Sequence, residues 1–155
     1  MEHQPVAPTF PPSELRKIRL FSALGASHLE AIHKASLVLY KAKNAPIILQ
    51  DSMVLGLHVV LKGQVGIFLR AAATPMVTLD PPSPFGEMSI LERTVAAATV
   101  RALEDDTVIL LVRREAIETL LATDPVFASA IYREIALDLS RKLRLTNAHW
   151  ESAHP

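Results

Sequence analysis

The residues best suited to chemistry in this chain are Phe85-Gly86-Glu87-Met88-Ser89. A turn rich in proline (Pro81, Pro82, Pro84) leads into a glycine, where a ligand can approach the backbone closely. A few helical residues follow. The first N–H groups of a helix lack partners and carry partial positive charge, so they can receive an anionic phosphate. Glu87, in that first turn, would accept a hydrogen bond from a hydroxyl. The same residues also read as a turn capping a barrel, and a Gly-Glu pair alone does not choose between the two. Other chemistry is poorly supported. There are no cysteines, which excludes a disulfide scaffold, an iron–sulfur site and a thiol nucleophile. The six histidines are His3, His28, His33, His58, His149 and His154. No HExxH occurs, and His28 and His33 do not share a helix face, so they read as solvated or half-buried side chains. No GxSxG, GxGxxG or Walker loop is present. Glu104-Asp105-Asp106 reads as a solvated turn. No catalytic constellation emerges, and no enzyme is expected.

The elements that must position residues 85–89 follow from periodicity. Residues 1–12 hold four of the eleven prolines, which disfavour helix and remove donors; this stretch reads as a disordered tail. Ser13 would cap a helix over residues 15–20. Ser27-His28-Leu29-Glu30 fits a capping box for a second helix. Short apolar runs then fall at 37–40, 47–49, 57–61, 65–69, 76–79, 97–103 and 107–112, separated by turn residues. That spacing predicts an antiparallel sandwich or barrel. The last third is helical. Asp124-Pro125 is a strong start signal. Phe127, Ile131, Ile135, Leu139 and Leu143 recur every fourth residue, flanked by Ala130, Leu137 and Leu145, over a helix expected at 125–147. One face should pack on the barrel. The distal part, with Ile135, Leu139, Leu143 and Leu145, should form a homodimer seam with Arg141, Lys142 and Arg144 at its rim.

Composition sets the outer bounds. The 155 residues are 50% hydrophobic and 21% charged, with 16 basic and 16 acidic side chains. That is one domain's worth of chain with a real core. It is not the profile of a protein that wraps nucleic acid. No apolar run is long enough to span a bilayer, and no secretory pattern opens the chain, so a cytoplasmic protein with no membrane partner is expected.

Residues 85–102, FGEMSILERTVAAATVRA, resemble the phosphate-binding cassette of cyclic-nucleotide-binding domains. The order of the rest is similar to that family, and in particular to catabolite-activator-type bacterial regulators. LRKIRLFSALGASHLEAIHKAS forms a helical lead, and LHVVLKGQVGIF carries a glycine turn. VTLDPPSPFGEMSIL, DDTVILLV and two terminal helices follow. The resemblance implies a mainly β fold: an eight-stranded antiparallel, jelly-roll-like β-roll with N-terminal helices and a long C-terminal dimerisation helix. Residues 13–150 would form this domain. It also implies a cyclic nucleotide such as cAMP as ligand, with no further cofactor and no metal. Glu87 would take the ribose 2′-hydroxyl, and the amides of Gly86, Glu87 and Ser89, with Met88 among them, would line the phosphate end. The family places an arginine on the cyclic phosphate, followed by a small residue. Here those positions are Ala96 and Ala97, so the arginine is missing. Arg93 either reaches back to replace it or is a solvated loop arginine. On the last helix, Thr146-Asn147 stands where the activator type contacts adenine, and Trp150 either stacks over a base or lies exposed.

Three regulatory functions remain in view. The first is a dimeric sensor module of cyclic-nucleotide-binding type, whose degenerate phosphate site makes cAMP binding weak or altered. The second is a non-binding interaction or dimerisation scaffold. The third is a truncated transcription regulator. Only eight residues follow Asn147, too few for a helix-turn-helix, so DNA binding by this chain is not expected.

Overall fold

Seven of the apolar runs become strands in the computed structural model, which describes residues 4–155. The strands are β1 (Ser36–Lys41), β2 (Pro46–Ile48), β3 (Gly56–Lys62), β4 (Val65–Phe68), β5 (Val77–Leu79), β6 (Ser83–Phe85), β7 (Thr99–Ala102) and β8 (Thr107–Arg113). The α-helices are α1 (Ala26–Lys34), α2 (Glu87–Glu92), α3 (Arg114–Thr123) and α4 (Pro125–Ala153). Two four-stranded antiparallel sheets form, in the orders β1-β8-β3-β6 and β2-β7-β4-β5. This is the β-roll with flanking helices that the sequence implies.

The first sheet is covered on both sides, so its central strands carry apolar residues at successive positions rather than in alternation. Leu57 and Val59 of β3 and Leu110 and Val112 of β8 face the helices, with Leu29, Ile32, Ile117, Phe127 and Ile131. Val60 and Ile109 face the second sheet, with Val65, Val77, Phe85 and Val100. At Gly56 a Cβ would fall 2.0 Å from the Val112 carbonyl oxygen, so only glycine permits this approach of β3 to β8. His58, on the next turn of the pleat, is 2% exposed. It stacks on Phe85 with ring centroids 5.0 Å apart, and its Nδ1 lies 3.0 Å from the Gly56 carbonyl.

Several local expectations are corrected. Residues 4–12 are docked rather than a disordered tail; residues 1–3 lie outside the described residues. Val6 exchanges both backbone hydrogen bonds with Val38 (3.1 and 2.7 Å), and the Phe10 carbonyl meets His33 Nε2 at 2.7 Å. The cause is that β1 is an edge strand whose open backbone groups recruit a partner. The helix expected at 15–20 is two 3-10 segments, Pro12–Lys17 and Arg19–Phe21, with no side-chain cap from Ser13. Gly25, not Ser27, occupies the N-cap of α1. β6 arises inside the proline-rich turn. Pro84 is tolerated there because β6 is an edge strand, where a missing N–H leaves no ladder bond unmade.

Helix α4 begins as expected. Asp124 Oδ1 accepts from the Phe127 amide at 3.0 Å, and Asp124 Oδ2 meets His28 Nε2 at 2.6 Å. The Phe127 amide first, then His28, holds the Asp124 carboxyl below its usual range. The helix runs 29 residues, beyond the 147 and 150 boundaries. Ile135 is buried in its own protomer's core, so it is not free to form a seam. Leu143 and Leu145 are 61% and 54% exposed, because the helix outruns the roll there.

Burial lowers the His58 pKa to about 4 from 6.5. The unfolded chain therefore binds more protons between those values, and stability should fall as pH drops from 6.5 towards 4, by up to roughly 3 kcal/mol. Thermal or urea unfolding across pH 7 to 4 checks this: His58→Leu should flatten the slope in that window, and an equally steep slope in the variant would overturn the assignment.

Candidate functional site

The second sheet does not close fully on the first. Between the inner face of β2, β4, β5 and β7, the segment from Phe85 to Ser89, and helix α4 lies a cavity of about 420 Å³. Gly86 opens the segment in a left-handed conformation, φ +81°. A Cβ there would sit 3.2 Å from His58 Nδ1, the Gly56 carbonyl oxygen and Val54, so conformation and space both demand glycine. The turn swings Glu87 inward. Arg114 holds the segment from behind: Nη2 donates to the Ser89 carbonyl (3.3 Å), Nη1 to the Val54 carbonyl (3.2 Å), and Nε to Glu118 (2.7 Å).

Glu87 is 3% exposed. Its Oε1 lies 2.8 Å from Lys142 Nζ, and its Oε2 is buried without a hydrogen-bond partner. Lys142 also donates to the Pro84 carbonyl and forms an ion pair with Asp138 Oδ2 at 2.7 Å. Arg141 lies 3.7 Å from the other oxygen of Asp138. Taking the Lys142 ammonium out of water is expensive unless charges and acceptors surround it, and here three oxygens do so.

Of the residues singled out from sequence, Gly86, Glu87, Met88, Ser89, Ala96, Ala97, Leu139, Leu143 and Thr146 line this one cavity. Ala96 is buried and pinned by its backbone: its amide donates to the Ser52 carbonyl and its carbonyl accepts from the Asp51 amide, both at 2.9 Å. Arg93 and Asn147 are not part of the lining. Arg93 closes α2 in a left-handed conformation, φ +54°, with its side chain exposed. Its side chain is placed in solvent, outside the lining. Asn147 is exposed on the far side of the turn from Thr146, since adjacent helical residues point about 100° apart. Trp150 is exposed and stacks on His154. Among the described residues no cluster of His, Asp or Glu could hold a metal ion, and no helix is long and apolar enough to cross a membrane.

Lys142, Asp138 and Arg114 were not singled out for the site. Lys142 was expected at the rim of a seam, but its side chain is only 13% exposed and faces Glu87. The signal lay in the helical stripe: Phe127, Ile131, Ile135, Asp138 and Lys142 follow one another on one face, and its last two members are polar. A buried stripe continued by an acid and a base four apart marks an internal ion pair.

A family model described as the cyclic nucleotide-binding domain matches residues 39–124, more than half of the chain, and the chain belongs to that family. The fold is shared with a candidate cyclic nucleotide-binding protein of Geobacter metallireducens (TM-score 0.79, 18% identity, 87% of this chain and 99% of that one). It is also shared with the catabolite activator protein of Thermus thermophilus (TM-score 0.65, 25% identity, 87% of this chain, 62% of that one). The sensor domain of the transcriptional regulator DNR of Pseudomonas aeruginosa is similar too (TM-score 0.70, 16% identity, 82% and 91%). No curated protein matches the chain. Family and fold are those of regulatory binding modules.

Removing one partner of the buried pair should be costly. Lys142→Met should lose about 3–5 kcal/mol by leaving Glu87 and Asp138 uncompensated. Adding Glu87→Gln to it should recover more than ~1 kcal/mol, since a buried charge is then removed. Urea unfolding of the two single variants and the double checks this, and additive losses would show that the two side chains do not interact.

Proposed function

We propose that this chain is a regulatory sensor module that works as a homodimer and whose cavity is degenerate toward the cyclic phosphate, so that cAMP binds weakly or not at all. The observation that carries the reading is the charge inventory of the cavity. Among the described residues, Glu87 and Lys142 are the only ionisable ones in its lining, and they are paired with each other. A cyclic nucleotide would bring a negative phosphate to a position where Ala96 offers a methyl group. A hydrogen bond between charged groups is worth about 1.5–3 kcal/mol, so its absence weakens binding by roughly 10–100-fold. Lys142 also occupies the carboxylate that the family resemblance assigns to the ribose. That second fact favours an alternative, a scaffold that binds no small molecule and serves protein interaction.

The dimer reading rests on a second stripe of α4, beside the buried one. Tyr132, Ala136, Leu139, Leu143, Thr146 and Trp150 recur at spacings of four, three, four, three and four. That is the alternation of a two-stranded coiled coil. Tyr132, Ala136, Leu143 and Trp150 are exposed, and Leu139 and Thr146 are half-buried. Leu145 lies off this stripe. Because Leu139, Leu143 and Thr146 also line the cavity, a partner helix on this seam would sit against its mouth and couple occupancy to assembly.

Two measurements test this function. Calorimetry should show wild-type protein binding cAMP weakly or not at all, and Ala96→Arg should create or tighten binding by about tenfold or more. Tight binding by the wild type would overturn the degenerate-site reading, and no binding by either protein would favour the scaffold. In sedimentation equilibrium the wild type should be a dimer, Leu143→Glu should dissociate it, and Leu145→Glu should not; a monomeric wild type at high micromolar concentration would overturn the seam.

A further inference from the structure

The polar side chains of the cavity are unusual in what they leave free. Lys142 is the only cation among them; it donates to Glu87 Oε1 and the Pro84 carbonyl and forms an ion pair with Asp138 Oδ2, so two carboxylates balance its charge. The Thr146 hydroxyl donates to the Lys142 carbonyl at 3.0 Å, and the Ser89 hydroxyl donates to the Val95 carbonyl at 3.3 Å. Each hydroxyl therefore presents only lone pairs to the cavity. Glu87 lines the cavity with one carboxylate oxygen buried and unpartnered. The remaining lining side chains are apolar or glycine. The cavity's side chains thus offer acceptors and apolar surface, with no unbalanced positive charge.

We infer that the cavity takes an uncharged, largely apolar small molecule that carries at least one hydrogen-bond donor. This deepens the sensor reading and rests on it. An anion would meet Lys142 only where two carboxylates already balance it, and burying it there would leave its charge uncompensated. A neutral donor instead supplies what Glu87 Oε2 lacks, since an unmet buried acceptor is costly and a donor relieves that cost. A volume of about 420 Å³ is within the range of pockets that bury a small organic ligand.

The experiment compares four probes of known charge and donor content by isothermal titration calorimetry, with ligand-observed NMR for weak binding. They are 2-naphthalenemethanol, its methyl ether, 2-naphthoate and cAMP. The expected order places the alcohol first, roughly fivefold or more above the ether, which has the same body and no donor, as befits one hydrogen bond. Naphthoate and cAMP should come last. Two variants locate and explain the binding. Ala97→Phe, at an exposed position of the lining, should block the alcohol without touching the core. Glu87→Gln should erase most of the alcohol's advantage and let naphthoate gain about fivefold or more, since Lys142 then faces one carboxylate fewer. If naphthoate or cAMP binds the wild type best, the ligand class is wrong while the sensor reading stands. If Ala97→Phe leaves alcohol binding unchanged, the site is elsewhere and the inference fails. If none of the four probes binds, both the ligand class and the sensor reading fall, and the scaffold remains.

Discussion

Lys142 is the point on which the site and the helix above it both depend. Its ammonium is largely withdrawn from water where three elements meet: β6 through the Pro84 carbonyl, the start of α2 through Glu87, and α4 itself through Asp138. A charge taken out of water must be surrounded by opposite charge and acceptors or it will not stay charged. Satisfying it therefore fixes the positions of three segments that are far apart in sequence. The geometry of the cavity follows. Glu87 is drawn toward α4, α4 is held across the opening of the second sheet, and the helix is rotated so that Leu139, Leu143 and Thr146 face the cavity edge.

The rest of the roll supports that arrangement from two separate cores. One lies between the first sheet and the helices and is filled by Leu, Ile, Phe and Val; it supplies the bulk of hydrophobic stabilisation in the usual way. The other lies between the sheets and includes Phe85 and Ala96, and it opens toward the cavity. Arg114 connects the layers. It leaves the end of β8 at the start of α3 and reaches the carbonyls of Val54 and Ser89. The cassette is thereby braced from the side opposite Lys142. A site built in this way changes shape only if one of these polar braces is exchanged for another, which is the kind of discrete rearrangement that regulatory domains use.

The same braces set which positions of the cassette the fold itself requires. Gly86 is required by its left-handed backbone and by the closeness of His58 and Gly56, whatever the ligand. The Ser89 backbone carbonyl accepts from Arg114, a contact that any residue type at this position would offer. Ala96 is held through its backbone to residues 51 and 52, and its methyl group is a small part of the inter-sheet core at the edge of the cavity. The position at which the family resemblance places a guanidinium is thus fixed by its backbone while its side chain borders the cavity.

Much of the molecule was legible in the residues alone. Alternating and continuous apolar runs marked seven of eight strands, and Asp124-Pro125 marked the start of α4, because period and caps are local properties of a sequence. The Phe85–Ser89 motif marked one wall of the cavity, and the missing arginine at Ala96 was visible as a departure from a pattern. What tertiary structure decided was which polar groups meet. β6 was hidden because a proline is acceptable only on an edge that the sheet order creates. The docked segment at Val6 was hidden because its partner is the open edge of β1. Ile135 and Lys142 belonged to the interior, not to a seam, because the roll covers α4 further along one face than on the next. Above all, the Glu87–Lys142 pair joins residues 55 positions apart in sequence. No local spacing encodes that meeting; it exists because burying the apolar face of α4 draws a lysine largely out of water, where it must find its carboxylates.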